Sequence, residues 1–481
     1  MNKKMILKII SKIVMMEGIL LLLPSIVGLY YNEYRDAKIY LFMSVITATL
    51  FYILSKISVK NTNIYAKDGL ICTALIWIIW SLVGALPFYI AGYIPNYFDA
   101  FFETVSGFTT TGSTILSNIE GFSKSMLFWR SFTHWIGGMG VLVFVLAFIP
   151  VAERGEALFL LKAEVPGPVV GKLVPKAKKT AMILYLMYLF LTILEIIFLL
   201  FGKMNFYEAV LHAFSTAGTG GFSTRNASVA AFNSPYIEYV ISIFMVLFGI
   251  NFNIYFFLLI KNFKDVFKNE ELRLYLAIIA ISVITITINI YYIYNDLEKA
   301  FRASLFQVTS IITTTGFITE NFNLWPSYSK IVLMLLIVIG ACAGSTGGGI
   351  KISRVLILLK EMKLYIKKLF HPRLVDVITI DNKKVEQNIR HATLMFVALY
   401  CLICVISIIL VSINNFDFET TVTAVLTTLG NTGPGLGQVG AIENFYKFSN
   451  FSKIILSFDM LIGRLEILPI LFIFTPNIWK K

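Results

Sequence analysis

The sequence predicts an all-α polytopic membrane protein, with four repeats of span, short re-entrant helix and span around a central pore, and an N-terminal two-helix hairpin in front of them. Three observations predict it. The 481-residue chain is 57% hydrophobic and 14% charged, with a mean hydropathy of +0.77, which is far more apolar than an ordinary soluble domain. A short stretch rich in glycine and hydroxyl residues occurs four times. Basic residues are segregated: 29 of the 41 Lys and Arg lie in segments assigned to one side of the predicted spans, and 11 in segments on the other.

The repeated stretch covers residues 106–112, 215–221, 310–316 and 427–433. Each copy ends on a glycine (Gly112, Gly221, Gly316, Gly433), has Ser or Thr six residues before it and has Thr or Asn two before it. An aromatic lies fifteen residues before each glycine: Tyr97, Phe206, Phe301 and Phe418. The glycines are 109, 95 and 117 residues apart, so one large supersecondary unit is used four times. A single copy would be read as a turn between helices; four copies in phase would not. Glycine lets backbone carbonyls turn where a side chain would block them. Non-helical backbone persists at membrane depth only where it lines a cavity or is buried in protein. A four-fold ring of carbonyls replaces the water shell of a potassium ion, and one chain with four copies suffices to build one.

In order along the chain, residues 6–30 and 37–58 read as the helical hairpin, with a rather polar first helix. Repeat one has spans at 70–93 and near 125–149, with the short segment 97–108 between them. Repeat two has spans near 180–202 and 235–260, repeat three near 274–294 and 328–360, and repeat four near 391–413 and 451–475. Most are long enough to cross the hydrocarbon core. The segments between each aromatic and its glycine are too short to cross and fit half-helices whose dipole ends face an ion. The corresponding units are 1–65 for the hairpin and 66–150, 151–262, 263–362 and 363–481 for the four repeats. Ten crossings return the C-terminus to the side of the N-terminus, and the basic segments place both in the cytoplasm. The same segregation argues against a nucleic-acid-binding face for the net charge of +13. No small-residue cleavage site follows the N-terminal segment, so a removable signal peptide is not expected.

Two features inside the spans call for a function. The second span of repeat three carries Gly340, Gly344, Gly347, Gly348 and Gly349 within ten residues. Each interior glycine costs a helix about 1 kcal/mol, so a break at mid-membrane is expected. Arg464 stands in an apolar span; a buried arginine marks an ion path or a partner, and neither Asp459 nor Glu466 shares its helical face. Its charge repels cations and suits a gate better than a filter. Two nucleotide-like patterns are decoys. In the glycine run Ile350 separates Gly349 from Lys351, and the GxGxxG at 435–440 is preceded by a re-entrant segment where a dinucleotide fold needs a strand. Cys401 and Cys404 form a lone CxxC in an apolar helix, and the four histidines are scattered. A membrane enzyme would need convergent acidic or nucleophilic residues, and Glu195 is alone in its span; no catalytic residues are assigned.

The four motifs resemble those of the TrkH/KtrB/HKT superfamily of potassium transporters, and the TrkH branch of it in particular. So do Thr133-His134-Trp135-Ile136-Gly137-Gly138-Met139-Gly140, Ala163-Glu164-Val165-Pro166-Gly167-Pro168, the run from Ala343 to Lys351, and Gly463-Arg464-Leu465-Glu466. The resemblance runs over essentially the whole chain. It implies four M1–pore helix–M2 repeats around one pore, potassium uptake across a bacterial inner membrane, a homodimer, and a cytosolic TrkA-like regulatory subunit that carries the nucleotide sites. No cofactor is implied in this chain beyond K+ as the transported ion. The ion-binding filter then comprises Thr110, Thr111, Gly112, Gly220, Gly221, Thr315, Gly316, Thr432 and Gly433. The gate comprises Gly344, Ser345, Thr346, Gly347, Gly348, Gly349, Lys351 and Arg464. Gly112, where sodium-conducting relatives tend to have serine, favours potassium. A sodium-permeable transporter of the same fold is the alternative.

Overall fold

A computed structural model describes residues 2–59, 65–140, 177–373 and 377–475. The segment 163–168 and the far end of the span expected at 125–149 lie outside them. Helices dominate, and the four-fold pattern of the sequence is repeated in them. Each repeat opens with a long helix: Ala66–Ile90, Ala177–Phe201, Glu270–Tyr294 and Gln387–Val411. A short helix follows: Tyr97–Phe108, Phe206–Gly218, Leu297–Ile312 and Phe418–Gly430. Asn96, Asn205, Asp296 and Asp417 cap these short helices, each side chain accepting a first-turn backbone N–H, which satisfies a donor that no helical carbonyl reaches. In repeats one, two and four the aromatic marker is the first helical residue. In repeat three Phe301 lies one turn inside a longer helix, because the Asp296 cap sits further upstream.

The inner helices depart from the continuous spans expected from hydropathy. Lys124–Gly138 stops at the glycine pair. Pro235–Gly249 and Phe252–Leu259 replace the single span 235–260 and are bent by 90°; the Asn251 side chain caps the second piece, so the chain leaves one helix and starts another at a satisfied terminus. Ser327–Ile339 and Ile352–Phe370 flank the expected break. Asn450–Arg464 and Leu468–Ile473 replace the span 451–475 and are separated by three residues, the last two of which, Glu466 (φ 57°) and Ile467 (φ 69°), have left-handed backbone. Among the described residues five helices are long and apolar enough to cross a membrane, six if the bent pair counts as one. This is fewer than ten because breaks shorten inner helices of repeats two, three and four, the first helix of the hairpin is too charged to qualify, and the far end of the span expected at 125–149 lies outside the described residues.

The hairpin is Lys3–Leu20, Leu22–Tyr30 and Tyr34–Ser55. Its first helix, polar for a span, packs inward. Glu17 is fully buried, and the Trp80 indole N–H of the first long helix donates to the Ile13 carbonyl at 3.3 Å. A two-residue antiparallel pairing, Thr379–Ile380 with Lys383–Lys384, lies between the helices Ile352–Phe370 and Gln387–Val411.

Candidate functional site

All four motifs end their short helices in the same way. In repeat one the Thr111 N–H bonds the Ser106 carbonyl at 2.9 Å and the Thr110 N–H bonds the Gly107 carbonyl at 3.1 Å. The same two bonds recur from Gly220 to Ser215 and Thr219 to Thr216, from Thr315 to Ser310 and Thr314 to Ile311, and from Thr432 to Thr427 and Asn431 to Thr428. This is a Schellman termination, which normally places glycine at its left-handed position. Here that position is Thr110, Thr219, Thr314 and Asn431, with φ between 54° and 58°. Asparagine tolerates that region, whereas a β-branched threonine is an outlier there and is held at a cost of about 1–3 kcal/mol. Strain repeated at three corners marks a place where backbone direction matters more than local stability. The C-terminal, negative ends of the four helices all adjoin the motifs, which favours a cation among them.

Two residues further on, each motif glycine is again left-handed, with φ of 81°, 77°, 80° and 96°. What stands in the place of its missing side chain is the same in every repeat, a backbone carbonyl of the next one. Gly112 faces the Gly220 carbonyl, Gly221 that of Thr315, Gly316 that of Thr432, and Gly433 that of Thr111. The order closes on itself, one to two to three to four to one. Thr111, Gly112, Gly220, Gly221, Thr315, Gly316, Thr432 and Gly433 are thereby brought into a single closed ring of backbone, with Thr110 at the left-handed turn just before it. A cavity of about 120 Å³, lined by all four glycines and by residues that follow them, opens on one face.

Behind the ring, a polar side chain in each short helix fastens the chain that leaves it, nine or ten residues before the glycine. Glu103 accepts from the Thr114 hydroxyl at 2.9 Å and the Ile115 N–H at 3.0 Å. His212 meets the Ser223 hydroxyl at 3.0 Å, and the Gln307 amide meets the Thr319 hydroxyl at 3.3 Å. The Thr423 hydroxyl accepts the Leu436 N–H at 3.0 Å. Glu103 also pairs with Arg130 at 2.7 Å, both buried. Arg130 crosses to repeat two, donating to the Ser223 carbonyl at 3.1 Å and lying 3.5 Å from the centre of the Phe222 ring. These residues were missed in the sequence. A buried polar residue recurring nine before the glycine, as Glu103, His212 and Gln307, was the available signal. His134, read as one of four scattered histidines, also lies against the ring, stacked on Phe222 at 4.0 Å and filling the space beside Gly220.

The glycine-rich break of repeat three lies on the other face of the ring. Its neck is closed by backbone bonds from Ile350 to Val338 (3.1 Å) and from Lys351 to Ile339 (2.9 Å). Lys351 is buried, and its ammonium donates to the Gly347 carbonyl. The loop carries glycines because neighbours leave no room for more. A side chain on Gly347 would come within 2.8 Å of the Thr313 carbonyl, and one on Gly348 would strike the Gly430 carbonyl. The Gly348 N–H donates to the Thr314 hydroxyl at 2.7 Å, the Ala343 N–H to Glu271 at 2.7 Å, and the Thr346 hydroxyl to the Phe248 carbonyl at 3.3 Å. The bend in repeat two belongs to the same arrangement: the Phe252 N–H donates to the Gly344 carbonyl at 3.1 Å.

Arg464 is buried and donates to three carbonyls: Thr346 of the loop at 2.7 Å, and Gly137 and Gly138 of repeat one at 2.6 Å each. It thus pins the loop to the opposite side of the bundle. Glu466, two residues on, makes a two-pronged pair with Arg354 at 3.1 and 2.6 Å, joining the same turn to the helix that leaves the loop. Of the residues expected at a gate, Thr346 is held by Arg464 and Gly347 by Lys351, while Gly348 turns to Thr314 of the third motif. Gly344 reaches repeat two instead, Ser345 bonds the Cys342 carbonyl within the loop at 2.6 Å, and Gly349 packs on Gly340 at the neck.

A family described as TrkH, cation transport protein, matches residues 38–481. The Trk system potassium uptake protein TrkH of Salmonella typhimurium is 35% identical over the full length of both chains. The Trk system potassium uptake protein TrkG of Escherichia coli is 32% identical over 98% of this chain and 97% of its own. The crystal structure of the potassium transporter TrkH from Vibrio parahaemolyticus superposes over all of both chains with a TM-score of 0.89, at 31% identity.

Proposed function

Because this chain belongs to the TrkH family of cation transport proteins, we propose that it is a multi-pass membrane protein that takes up potassium through the closed ring of motif carbonyls. The observation that carries this reading is the cyclic order of the glycines, each leaving room for a carbonyl of the next repeat. Relatives named for potassium uptake support the choice of ion.

The geometry supports the following mechanism. A potassium ion sheds water at the cavity and takes ring carbonyls in its place. The Schellman terminations turn those carbonyls out of the helices, and the four negative helix ends offset part of the dehydration cost. Thr110, Thr111, Gly112, Gly220, Gly221, Thr315, Gly316, Thr432 and Gly433 form the binding site. On the other face the loop from Gly344 through Ser345, Thr346, Gly347, Gly348 and Gly349 to Lys351 closes the path. Arg464 holds it shut and adds a positive charge in a low dielectric. The protein works as a homodimer in a bacterial inner membrane with both termini cytoplasmic, and a TrkA-like nucleotide-binding subunit opens it by pulling on the basic segment that follows the loop. Tracer uptake by purified protein in vesicles, with potassium and sodium competing, tests the reading. Uptake that potassium inhibits and sodium does not is expected, and equal inhibition by both ions would overturn the filter.

A further inference from the structure

The four left-handed residues that precede the motif glycines do not use their side chains alike. The Thr110 hydroxyl donates to its neighbour's carbonyl, Thr109, at 2.7 Å, and Thr219 does the same to Gly218 at 2.6 Å. The Asn431 amide donates to the Thr111 hydroxyl and to the Met460 carbonyl, at 2.9 Å each. Thr314 alone of the four is tied to the glycine loop, its hydroxyl oxygen accepting the Gly348 N–H at 2.7 Å. Thr314 is buried and strained, with φ at 58°, and its own N–H is one of the two bonds that terminate the third short helix.

We propose that the docked loop and a potassium ion at the near face of the ring compete for the Thr314 hydroxyl oxygen, so that potassium is itself a ligand that releases the loop. The inference rests on the ring being the ion path. A threonine hydroxyl has two lone pairs and one proton. The Gly348 N–H takes one lone pair and points its positive end at the oxygen. A cation on the same oxygen would face that N–H, while Arg464 holds the loop by its Thr346 carbonyl. The repulsion acts where little water screens it, because Thr314 is buried. The loop cannot yield by sliding, because Gly347 is packed on the Thr313 carbonyl and Gly348 on that of Gly430; relief requires it to leave. Linkage is reciprocal, so whatever the ion does to the loop, the docked loop does to ion affinity.

Hydrogen exchange of peptides covering 340–351 tests this, with the full chain in nanodiscs, in potassium chloride and in N-methylglucamine chloride of equal ionic strength. In the wild type potassium is expected to speed loop exchange by about fivefold or more. Thr314→Val keeps the branched shape but removes the oxygen; its loop should exchange fast in both salts and lose the potassium response. Thr314→Ser restores the hydroxyl and should restore the response. Loop exchange indifferent to potassium in a wild-type protein that still takes up potassium overturns the competition alone. Indifference in a protein with no potassium-selective uptake overturns the ring reading, and the competition with it. A Thr314→Val protein that keeps the full response also overturns it, because the hydroxyl is then not the shared group.

Discussion

Gly112, Gly221, Gly316 and Gly433 each meet two constraints at once, a left-handed backbone and a neighbouring carbonyl where a side chain would go. Either alone disfavours substitution; together they couple each corner to the next. Gly112→Ser should therefore push on the Gly220 carbonyl and lower discrimination between potassium and sodium by about tenfold, or roughly 1.4 kcal/mol. The check is the ratio of tracer inhibition constants for the two ions, and an unchanged ratio would remove repeat one from the filter. Arg464→Ala removes a charge, one hydrogen bond to the loop and two to repeat one, and with them the pin between the two. Uptake without a partner subunit should rise several-fold while ion preference stays put. Lower flux in a folded protein would assign the arginine to holding the bundle together. The glycines were legible because each lies inside a local, repeated pattern. Of the partners of Arg464, the loop was legible, since a buried guanidinium needs carbonyls and the broken stretch 341–349 offers them; Gly137 and Gly138 were not, since they lie 327 and 326 residues away and leave no trace near it.

Among elements, the inner helices taught the most. Hydropathy read 235–260 and 451–475 as unbroken because every piece is apolar, and apolarity does not report direction. Asn251 was a readable cap in hindsight. The left-handed pair Glu466 and Ile467 had no signal, because an isoleucine there is strained and only its surroundings impose it. The short helices were legible in number, in position and at their glycine ends, yet their buried fasteners passed for ordinary core. Glu103 shows what such a fastener is worth. Breaking its buried pair with Arg130 leaves a guanidinium without its carboxylate, at a cost of about 3–5 kcal/mol. Glu103→Ala should lower the unfolding temperature in detergent markedly, while Glu103→Gln, which keeps an acceptor for Thr114 and Ile115, should fall between it and the wild type. Equal temperatures for the three would make the pair a bystander.

For the molecule as a whole, the segregation of basic residues was legible from the sequence and fixes an expectation about the bilayer. Reporters fused at residue 2 and residue 481 should both be cytoplasmic; a split result would break the ten-crossing count, and a pair on the far side would overturn the orientation. The closed ring has a further consequence, which concerns how the protein is made. Gly433 meets Thr111 and Gly112, and the Asn431 amide reaches the Thr111 hydroxyl across 320 residues of sequence. The corner between the fourth and first motifs is thus a contact of very high sequence separation, the kind that forms late because chain entropy is lost before the contact repays it. On the ribosome, three corners emerge with no fourth to close against. Until then the carbonyl of Thr111 and the cleft above Gly316 are unpaired edges inside a membrane. Docking of repeat four is therefore expected to be the last step of folding, and a chain stopped before residue 433 should form an open horseshoe rather than a smaller pore.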